Sequence, residues 1–247
     1  MSSSKSTLDS FGDGLRVVVI GASGGIGEAL LKALSKADNV DTVFAYARSE
    51  INFYHEKIKA SPIDIIDEDS VRNAAQHCGE ELDLVIVATG MLQDENLPEK
   101  SFKDFDLGAM QKCFAVNTFG PALVAKYFLP LLRTDRKSVF SVLSARVGSI
   151  SDNGLGGWHS YRASKAALNM MVKNFAIEIG RRHKQAVILA LHPGTVDTRL
   201  SKPFQGNVKH DIFSPAQAAE YLLKVTDQCA ATDSGKCFDW NGDQILP

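Results

Sequence analysis

The chain lacks the features of a membrane-spanning, secreted or nucleic-acid-binding protein. No stretch approaches the roughly 18 consecutive apolar residues of a membrane-spanning helix. Residues 1–14 are polar and have no apolar signal core. The formal net charge is −2 without a long run of one sign, which argues against a nucleic-acid surface. We therefore expect a cytoplasmic protein that binds neither membrane nor nucleic acid, with residues 1–14 as a loose polar leader.

Cysteine is also scarce and has no metal-binding spacing. The four cysteines, Cys78, Cys113, Cys229 and Cys237, form no C-x-x-C pair and no cluster with histidine. We expect no metal site, and reduced, mostly buried thiols. Apolar residues, by contrast, make up 45% of the 247 residues, enough for one large α/β domain or two small ones.

Short apolar runs alternate with segments of helical periodicity along the whole chain. Unbroken apolar strands separated by helices indicate a parallel sheet covered on both faces. With no repeat, linker or composition break, we predict one doubly wound α/β domain of about seven strands over residues 15–247. The predicted strands are 15–20, 42–47, 58–63, 82–88, 137–143, 186–191 and 235–240. The predicted helices are 28–36, 67–78, 107–132 (kinked or entered at Pro121), 158–182 and 215–226. Loops are predicted at 91–105, 148–157 and 195–211.

A glycine-rich turn follows the first predicted strand. It reads Gly21-Ala-Ser-Gly-Gly-Ile-Gly27, with glycines spaced G-x-x-x-G-x-G at Gly21, Gly25 and Gly27. Glycine lets the backbone approach a pyrophosphate, and the following helix N-terminus offers free N–H groups to the anion. The turn predicts a dinucleotide site that also includes Ser23 and Ile26. The alternative is a glycine-rich turn without a ligand.

The end of the second predicted strand bears on the choice of dinucleotide. No acidic residue closes the strand; Arg48 and Ser49 follow Ala47. A guanidinium group matches the 2′-phosphate of NADP, whereas an acidic residue would bind the 2′-hydroxyl of NAD. We favour NADP(H), with NAD(H) still open because Glu50 is close by. Arg48 as an exposed surface charge is the alternative.

A tyrosine and a lysine stand one helical turn apart in the predicted helix 158–182. Tyr161 and Lys165 would share a helix face, and a nearby ammonium lowers the pKa of a phenol. The pair can then donate a proton near neutral pH. By itself this spacing is common on solvated helix faces.

Taken together, these motifs resemble the short-chain dehydrogenase/reductase family from about residue 16 to the C-terminus. The resemblance also covers Asp64, Asn117, Gly90 and the segment 192–198, HPGTVDT. It implies catalytic roles for Asn117, Ser144, Tyr161 and Lys165. The cofactor-binding residues it implies are Gly21, Ser23, Gly25, Ile26, Gly27, Arg48, Ser49, Asp64, Gly90, Asn117, Tyr161, Lys165, Pro193, Gly194, Val196 and Thr198, with Thr195 beside them.

Residues 145–153 and 156–170 are similar to sniffer-type carbonyl reductases and bacterial C-factor proteins. Two departures from the family stand out. Val87-Ala-Thr-Gly90 replaces N-N-A-G, and alignment on Gly148 places Ala145 where the catalytic serine usually lies. Ser144 is the favoured substitute, and Ser149 or Ser151 are the alternatives.

The expected function is hydride transfer between NADP(H) and a small-molecule carbonyl or alcohol. Substrate is expected between residues 148–158 and a loop at about 199–212, with Trp158 and Phe204 as wall candidates. The resemblance implies a homodimer or homotetramer. The rival hypothesis is a non-enzymatic NADP(H)-binding regulator of C-factor type. An epimerase or dehydratase of the extended relatives ranks low, because little chain follows residue 200.

Overall fold

The computed structural model describes residues 7–92, 97–207 and 211–247. It confirms a doubly wound α/β fold around one eight-stranded sheet, in the order β3-β2-β1-β4-β5-β6-β7-β8. Strands β1 to β7 are parallel, and β8 is antiparallel to β7. The strands are β1 Leu15–Ile20, β2 Val40–Ala47, β3 Ile58–Pro62, β4 Leu84–Val87, β5 Ser138–Leu143, β6 Ala186–His192, β7 Cys237–Asp239 and β8 Gln244–Ile245. The helices are α1 Gly25–Ser35, α2 Glu68–Cys78, α3 Leu107–Phe114, α4 Gly120–Phe128, α5 His159–Ile179 and α6 Pro215–Gln228.

The sheet is apolar on both faces because helices cover both. Helices α1 and α6 bury Leu30, Leu34 and Leu222 against one face, while α2, α4 and α5 bury Val71, Val124 and other side chains against the other. This explains why strands such as β4 and β5 are buried along their whole length. The strand order reverses between β1 and β4, and ligands of such sheets bind where the order reverses, beyond the carboxyl ends of the strands.

The predicted helix 107–132 is a helical region in separate pieces. A π-helical turn, Ala115–Phe119, separates α3 from α4, and a 3-10 turn, Leu129–Leu131, follows α4. Pro121 lies in the first turn of α4, where its missing N–H has no cost. The alternative of a helix entered at Pro121 is thus confirmed, and the π-helical turn before it carries Asn117. Such turns occur frequently at functional sites.

The predicted loose leader is wrong for its second half. Leu8 and Phe11 are both only 2% exposed, and the Asn39 amide donates hydrogen bonds to the carbonyls of Leu8 and Gly12 at 3.2 Å. Two apolar side chains in a polar stretch are enough to dock it on the hydrophobic core beside α1 and α6. Residues 1–6 lie outside the described residues. The two-residue strand β8 is a further element that the pattern did not predict.

The remaining structural expectations concern thiols and membranes. All four cysteines are buried and unpaired. In the described parts of the chain, every helix is too short or too polar to cross a bilayer.

Candidate active site

A cleft of about 1280 Å³ lies where the parallel strands end. Its walls come from the segments that follow β1 to β6, so residues far apart in sequence meet there. The predicted site residues that line it are Gly21, Ser23, Gly25, Ile26, Arg48, Ser49, Asp64, Gly90, Ser144, Tyr161, Lys165, Pro193, Gly194, Val196 and Thr198. Two predicted residues, Gly27 and Asn117, are not among the lining residues and support the wall from behind.

The glycine turn forms one end of the cleft. Its backbone packs so closely that residues larger than glycine do not fit at two of its positions. Gly21 has φ +88°, and a Cβ there would lie 2.9 Å from the Ala88 carbonyl carbon. A Cβ on Gly27 would lie 2.1 Å from the Gly21 oxygen. Helix α1 begins at Gly25, and its N-cap Gly24 supplies no side-chain cap. The first N–H groups of α1 are therefore available to an anion.

The middle of the cleft contains a buried hydroxyl and a close approach of the chain. The Thr89 Oγ1 atom is buried and has no hydrogen-bond partner among the described residues. A Cβ on Gly90 would lie 3.8 Å from both Asn117 Oδ1 and Lys165 Nζ. Buried hydroxyl groups normally have a partner. Together with the backbone cradle, the unpartnered hydroxyl fits a polar ligand such as a nucleotide.

Arg48, Ser49 and Asp64 line the cleft at its outer part. Arg48 is exposed, so its guanidinium is accessible to a ligand. The Asp64 carboxylate accepts a hydrogen bond from the Ile66 N–H at 3.1 Å, and the Asp64 N–H donates to Ser70 Oγ at 2.9 Å. These bonds fix the Asp64 side chain at the end of β3.

Asn117 is fully buried, and its side-chain amide forms hydrogen bonds with other residues of the protein. Its Oδ1 accepts the Met91 N–H at 2.8 Å, while its Nδ2 donates to the Met91 carbonyl at 2.7 Å and to Ser164 Oγ at 3.1 Å. These bonds tie the π-helical turn to Met91 and to α5, and the catalytic role of Asn117 stays a prediction.

Tyr161 and Lys165 lie on the cleft-facing side of α5, one turn apart. The Lys165 Nζ atom lies 5.9 Å from the Tyr161 ring centre and donates a hydrogen bond to the Leu143 carbonyl at 2.7 Å. Burial lowers the pKa of Lys165 to about 8. Burial also raises the pKa of Tyr161 above its ordinary value, and the nearby Cys113 adds to this rise.

These pKa shifts contradict the simplest expectation for the pair. The sequence predicts that the ammonium lowers the pKa of Tyr161, whereas burial dominates and the pKa rises. The physical reason is that desolvation disfavours both charged forms, the phenolate and the ammonium. Tyr161 is therefore a protonated phenol at neutral pH, and its raised pKa makes it a weaker acid than an exposed tyrosine.

Ser144 is the only one of the three candidate serines that lines the cleft. Its hydroxyl donates to Asn169 Oδ1 at 2.7 Å. Ser149 is bonded within its own loop, to Ser151 Oγ at 3.3 Å and to the Asp152 N–H at 3.1 Å. Ala145 also lines the cleft and has no hydroxyl. The geometry thus brings Ser144, and neither alternative, to the cleft.

The segment after β6 forms a wall of the cleft that reaches the glycine turn. Gly194 has φ +77°, and a Cβ there would lie 2.7 Å from the Phe213 ring. Val196 pairs with Phe213 in an isolated parallel bridge, and the Phe213 ring packs on Trp240 at 4.7 Å. A Cβ on Gly25 would lie 3.0 Å from Thr198 Cγ2, so this segment reaches the glycine turn.

Sequence reasoning missed three residues around the site. Asn169 accepts the Ser144 bond, Thr89 contributes the unpartnered hydroxyl, and Glu99 holds the start of α5 through Ser160. Asn169 follows Lys165 by one helical turn, so its side of the helix was predictable. Glu99 lies in a polar loop far from Ser160 in sequence, and no local pattern marks it.

Comparison with known proteins assigns the family. The profile of the short chain dehydrogenase family matches residues 16–209. The chain belongs to the short-chain dehydrogenase family. The 1-hydroxy-2-glutathionyl-2-methyl-3-butene dehydrogenase of Rhodococcus sp. (strain AD45) is 33% identical to it over 224 residues, or 89% of this chain and 94% of that protein. The C-signal protein of Myxococcus xanthus is 34% identical over 143 residues, or 58% of this chain and 81% of that protein.

Two solved structures confirm the fold of this short-chain dehydrogenase. The NADPH-bound carbonyl reductase from chicken fatty liver has a TM-score of 0.81 and 26% identity, covering 96% of this chain and 95% of that one. The carbonyl reductase Sniffer of D. melanogaster has a TM-score of 0.83 over 95% of this chain and 100% of that one. At 18% identity the Sniffer likeness shows the fold alone. The resemblance to carbonyl reductases and C-factor proteins is thereby confirmed.

Proposed function

We propose that this short-chain dehydrogenase is an NADP(H)-dependent oxidoreductase that interconverts a carbonyl compound and an alcohol. The observation that carries the proposal is the placement of Tyr161 and Lys165 in the same cleft as the glycine turn. One end of the cleft offers helix N–H groups to a pyrophosphate. The other end offers a half-buried phenol and a buried amine with opposite pKa shifts. Paired shifts of this kind are typical of active sites.

The residues present fit a dinucleotide along the cleft. Gly21 and the start of α1 would hold the pyrophosphate, Asp64 the adenine, and Thr89 and Gly90 the ribose. The segment from Pro193 to Thr198 would hold the nicotinamide, with Lys165 at the nicotinamide ribose. When bound, the nicotinamide supplies or accepts the hydride.

Tyr161 is the proposed general acid in the reductive direction. The phenol is protonated at neutral pH, and it would donate its proton to the substrate oxygen as negative charge develops there. Lys165, protonated below about pH 8, would stabilise the phenolate that remains. Ser144 lies in the same wall and would stabilise the substrate oxygen by a hydrogen bond. To do so, the Ser144 hydroxyl would exchange its hydrogen bond to Asn169 for one to the substrate oxygen.

The preference for NADP(H) rests on Arg48. An exposed guanidinium at the end of β2, with no acidic residue closing the strand, fits a 2′-phosphate. The chicken carbonyl reductase is described with bound NADPH, which supports the same cofactor here. NAD(H) is the alternative cofactor.

The experiment is a cofactor-oxidation assay with NADPH and NADH over a panel of aldehydes, ketones and quinones. We expect turnover with NADPH to exceed turnover with NADH. Arg48→Ala is expected to lower kcat/KM for NADPH by roughly 10- to 100-fold, because a hydrogen bond to a charged group contributes about 1.5–3 kcal/mol. Its effect on NADH is expected to be small. Equal use of both cofactors by the unaltered protein would contradict the role of Arg48.

A non-enzymatic NADP(H)-binding regulator is the second candidate. Ala145 at the usual serine position and the likeness to the C-signal protein favour it. It predicts cofactor binding without turnover of any carbonyl in the panel. Location in the cytoplasm and assembly into a homodimer or homotetramer remain predictions.

A further inference from the structure

Trp158, at the N-terminus of α5, has a backbone conformation that residues with a side chain rarely adopt. It has φ 50° and ψ 43°, and it follows Gly156 and Gly157, both at φ +65°. The two glycines adopt left-handed geometry easily, but tryptophan does so at a cost. Strained backbone of this kind persists only where surrounding structure holds it, and it clusters at functional sites.

Glu99 supplies the contacts that hold Trp158 in place. The Trp158 N–H donates to the Glu99 carbonyl at 2.6 Å. The Glu99 carboxylate accepts from the Ser160 N–H at 3.3 Å and from the Ser160 hydroxyl. Glu99 and Ser160 are both buried. The turn that carries Trp158 is therefore clamped on both sides of the residue.

The strained backbone directs the indole ring into the cleft, beside the proposed proton donor. The ring lies 6.3 Å from the Tyr161 ring and 5.1 Å from the Phe204 ring, in edge-to-face geometry. All three rings line the cleft. Phe204 belongs to a 3-10 turn, Lys202–Asn207. The indole ring of Trp158 thus lies against both the Tyr161 ring and the Phe204 ring.

The charged side chains that line the cleft are those of Arg48, Asp64, Lys112, Arg146, Lys165 and Arg199. The Nη2 atom of Arg146 lies 2.7 Å from the buried carboxylate of Asp239, which compensates its charge. Lys165 donates its hydrogen bond to the Leu143 carbonyl. Beside Tyr161 the wall is aromatic, formed by Trp158 with Phe204 against it, and this favours an apolar substrate group.

We propose that Trp158 and Phe204 are the specificity-determining residues, and that they select carbonyl compounds whose reacting group is attached to an aromatic ring. The proposal rests on the proposed oxidoreductase function and names its substrate class. Aromatic rings pair favourably in edge-to-face and offset stacks. A planar ring packed against the surface that these two touching side chains form would be held while its carbonyl points to Tyr161. A saturated ring of the same size lacks these contacts.

The test compares matched pairs of substrates that differ only in the ring: benzaldehyde with cyclohexanecarbaldehyde, and acetophenone with cyclohexyl methyl ketone. For each pair, kcat/KM is measured with NADPH in the unaltered protein, Trp158→Gly, Phe204→Leu and Phe102→Leu. Glycine suits the left-handed backbone at position 158, so Trp158→Gly is expected to fold. Phe102 is 69% exposed and does not line the cleft, which makes its variant the control.

We expect the aromatic-to-saturated ratio of kcat/KM to fall at least tenfold in Trp158→Gly, and several-fold in Phe204→Leu. The control is expected to keep the ratio. Comparing ratios between variants removes the intrinsic difference in reactivity of the two carbonyls. Turnover of both members of a pair with an unchanged ratio in both variants would overturn the inference and leave the oxidoreductase function standing. If the unaltered protein turns over no member of either pair and no other carbonyl of the panel, the proposed function fails and the inference fails with it.

Discussion

The two ends of the cleft are built in different ways. At the glycine turn the shape is made by backbone, with Gly21 and Gly27 packed so closely that a single added carbon would collide with main-chain atoms. At the Tyr161 end the shape is made by side chains, which depend on buried hydrogen bonds such as those of Ser144 and Lys165. In the proposed function the first end holds the phosphates of the dinucleotide, and the second end sets the chemistry and the substrate specificity. Mutations should therefore separate binding from turnover.

Tyr161→Phe gives the largest expected effect and tests the catalytic end. Turnover should fall by roughly 10²–10⁴-fold, the usual contribution of a positioned proton donor. Cofactor affinity should change little, because the ring remains and the glycine turn is untouched. Steady-state kinetics and NADPH titration by fluorescence measure the two quantities. A variant that keeps full turnover would remove Tyr161 from the mechanism.

Ser144→Ala tests the weakest assignment at the same end. If Ser144 stabilises the substrate oxygen, kcat should fall by roughly 10²–10³-fold, again with cofactor affinity kept. Ser149→Ala is the matched control, because Ser149 does not line the cleft. Equal kinetics in Ser144→Ala and the unaltered protein would mean that Tyr161 acts without a serine.

Gly21→Ala tests the cofactor end. Its positive φ and the 2.9 Å approach to Ala88 predict a loss of roughly 1–3 kcal/mol in the free energy of unfolding, together with weaker NADPH binding. Gly154→Ala is the control, because a Cβ there would meet nothing within 4 Å. Its free energy of unfolding should stay within about 0.5 kcal/mol. Chemical denaturation measures the free energy of unfolding of both variants. Equal values would contradict the close packing of the backbone around Gly21.

The pH dependence gives the smallest expected effect. Burial lowers the pKa of Lys165 to about 8, so the catalytically useful ammonium is lost above that pH. The kcat/KM for NADPH, which reports groups of the free enzyme, should fall about tenfold per pH unit above 8. Lys165→Arg keeps its charge and should lack this decline. Retention of the decline in Lys165→Arg would assign it to another group.

Stability should move in the opposite direction over the same pH range. Between about pH 8 and 10.5 the folded protein has released the Lys165 proton while the unfolded chain still binds it. Stability rises with pH wherever the unfolded state binds more protons. The contribution of Lys165 to the free energy of unfolding should therefore increase across this window. Denaturation at several pH values, compared with Lys165→Met, isolates that contribution.

Most of the fold was predictable because its signals are local. Apolar runs marked β1, β4, β5 and β6, and the glycine turn marked the start of α1. The docking of Leu8 and Phe11 was not predictable, since burial of an isolated apolar pair depends on a surface formed by distant residues. The short strand β8 was missed for the same reason: it exists through its pairing with β7.

In the candidate site, too, local sequence patterns predicted some features, while others depend on contacts between distant residues. Short local motifs located Gly21, Arg48, Tyr161 and Lys165, because each belongs to a pattern with its own chemistry, and the family resemblance located Asn117. Only the tertiary structure showed that the Asn117 side chain forms hydrogen bonds with the Met91 backbone. It also showed that burial raises the pKa of Tyr161 and that Ser144 is the serine in the cleft.

The sequence by itself determined the order of strands and helices, the glycine cradle and the identity of the tyrosine–lysine pair. These follow from backbone sterics and periodicity, which act over a few residues. The tertiary structure decided the protonation of the pair, the choice of serine and the meeting of Trp158 with Phe204. Those depend on desolvation and on contacts between segments far apart in the chain, which only the folded packing brings together.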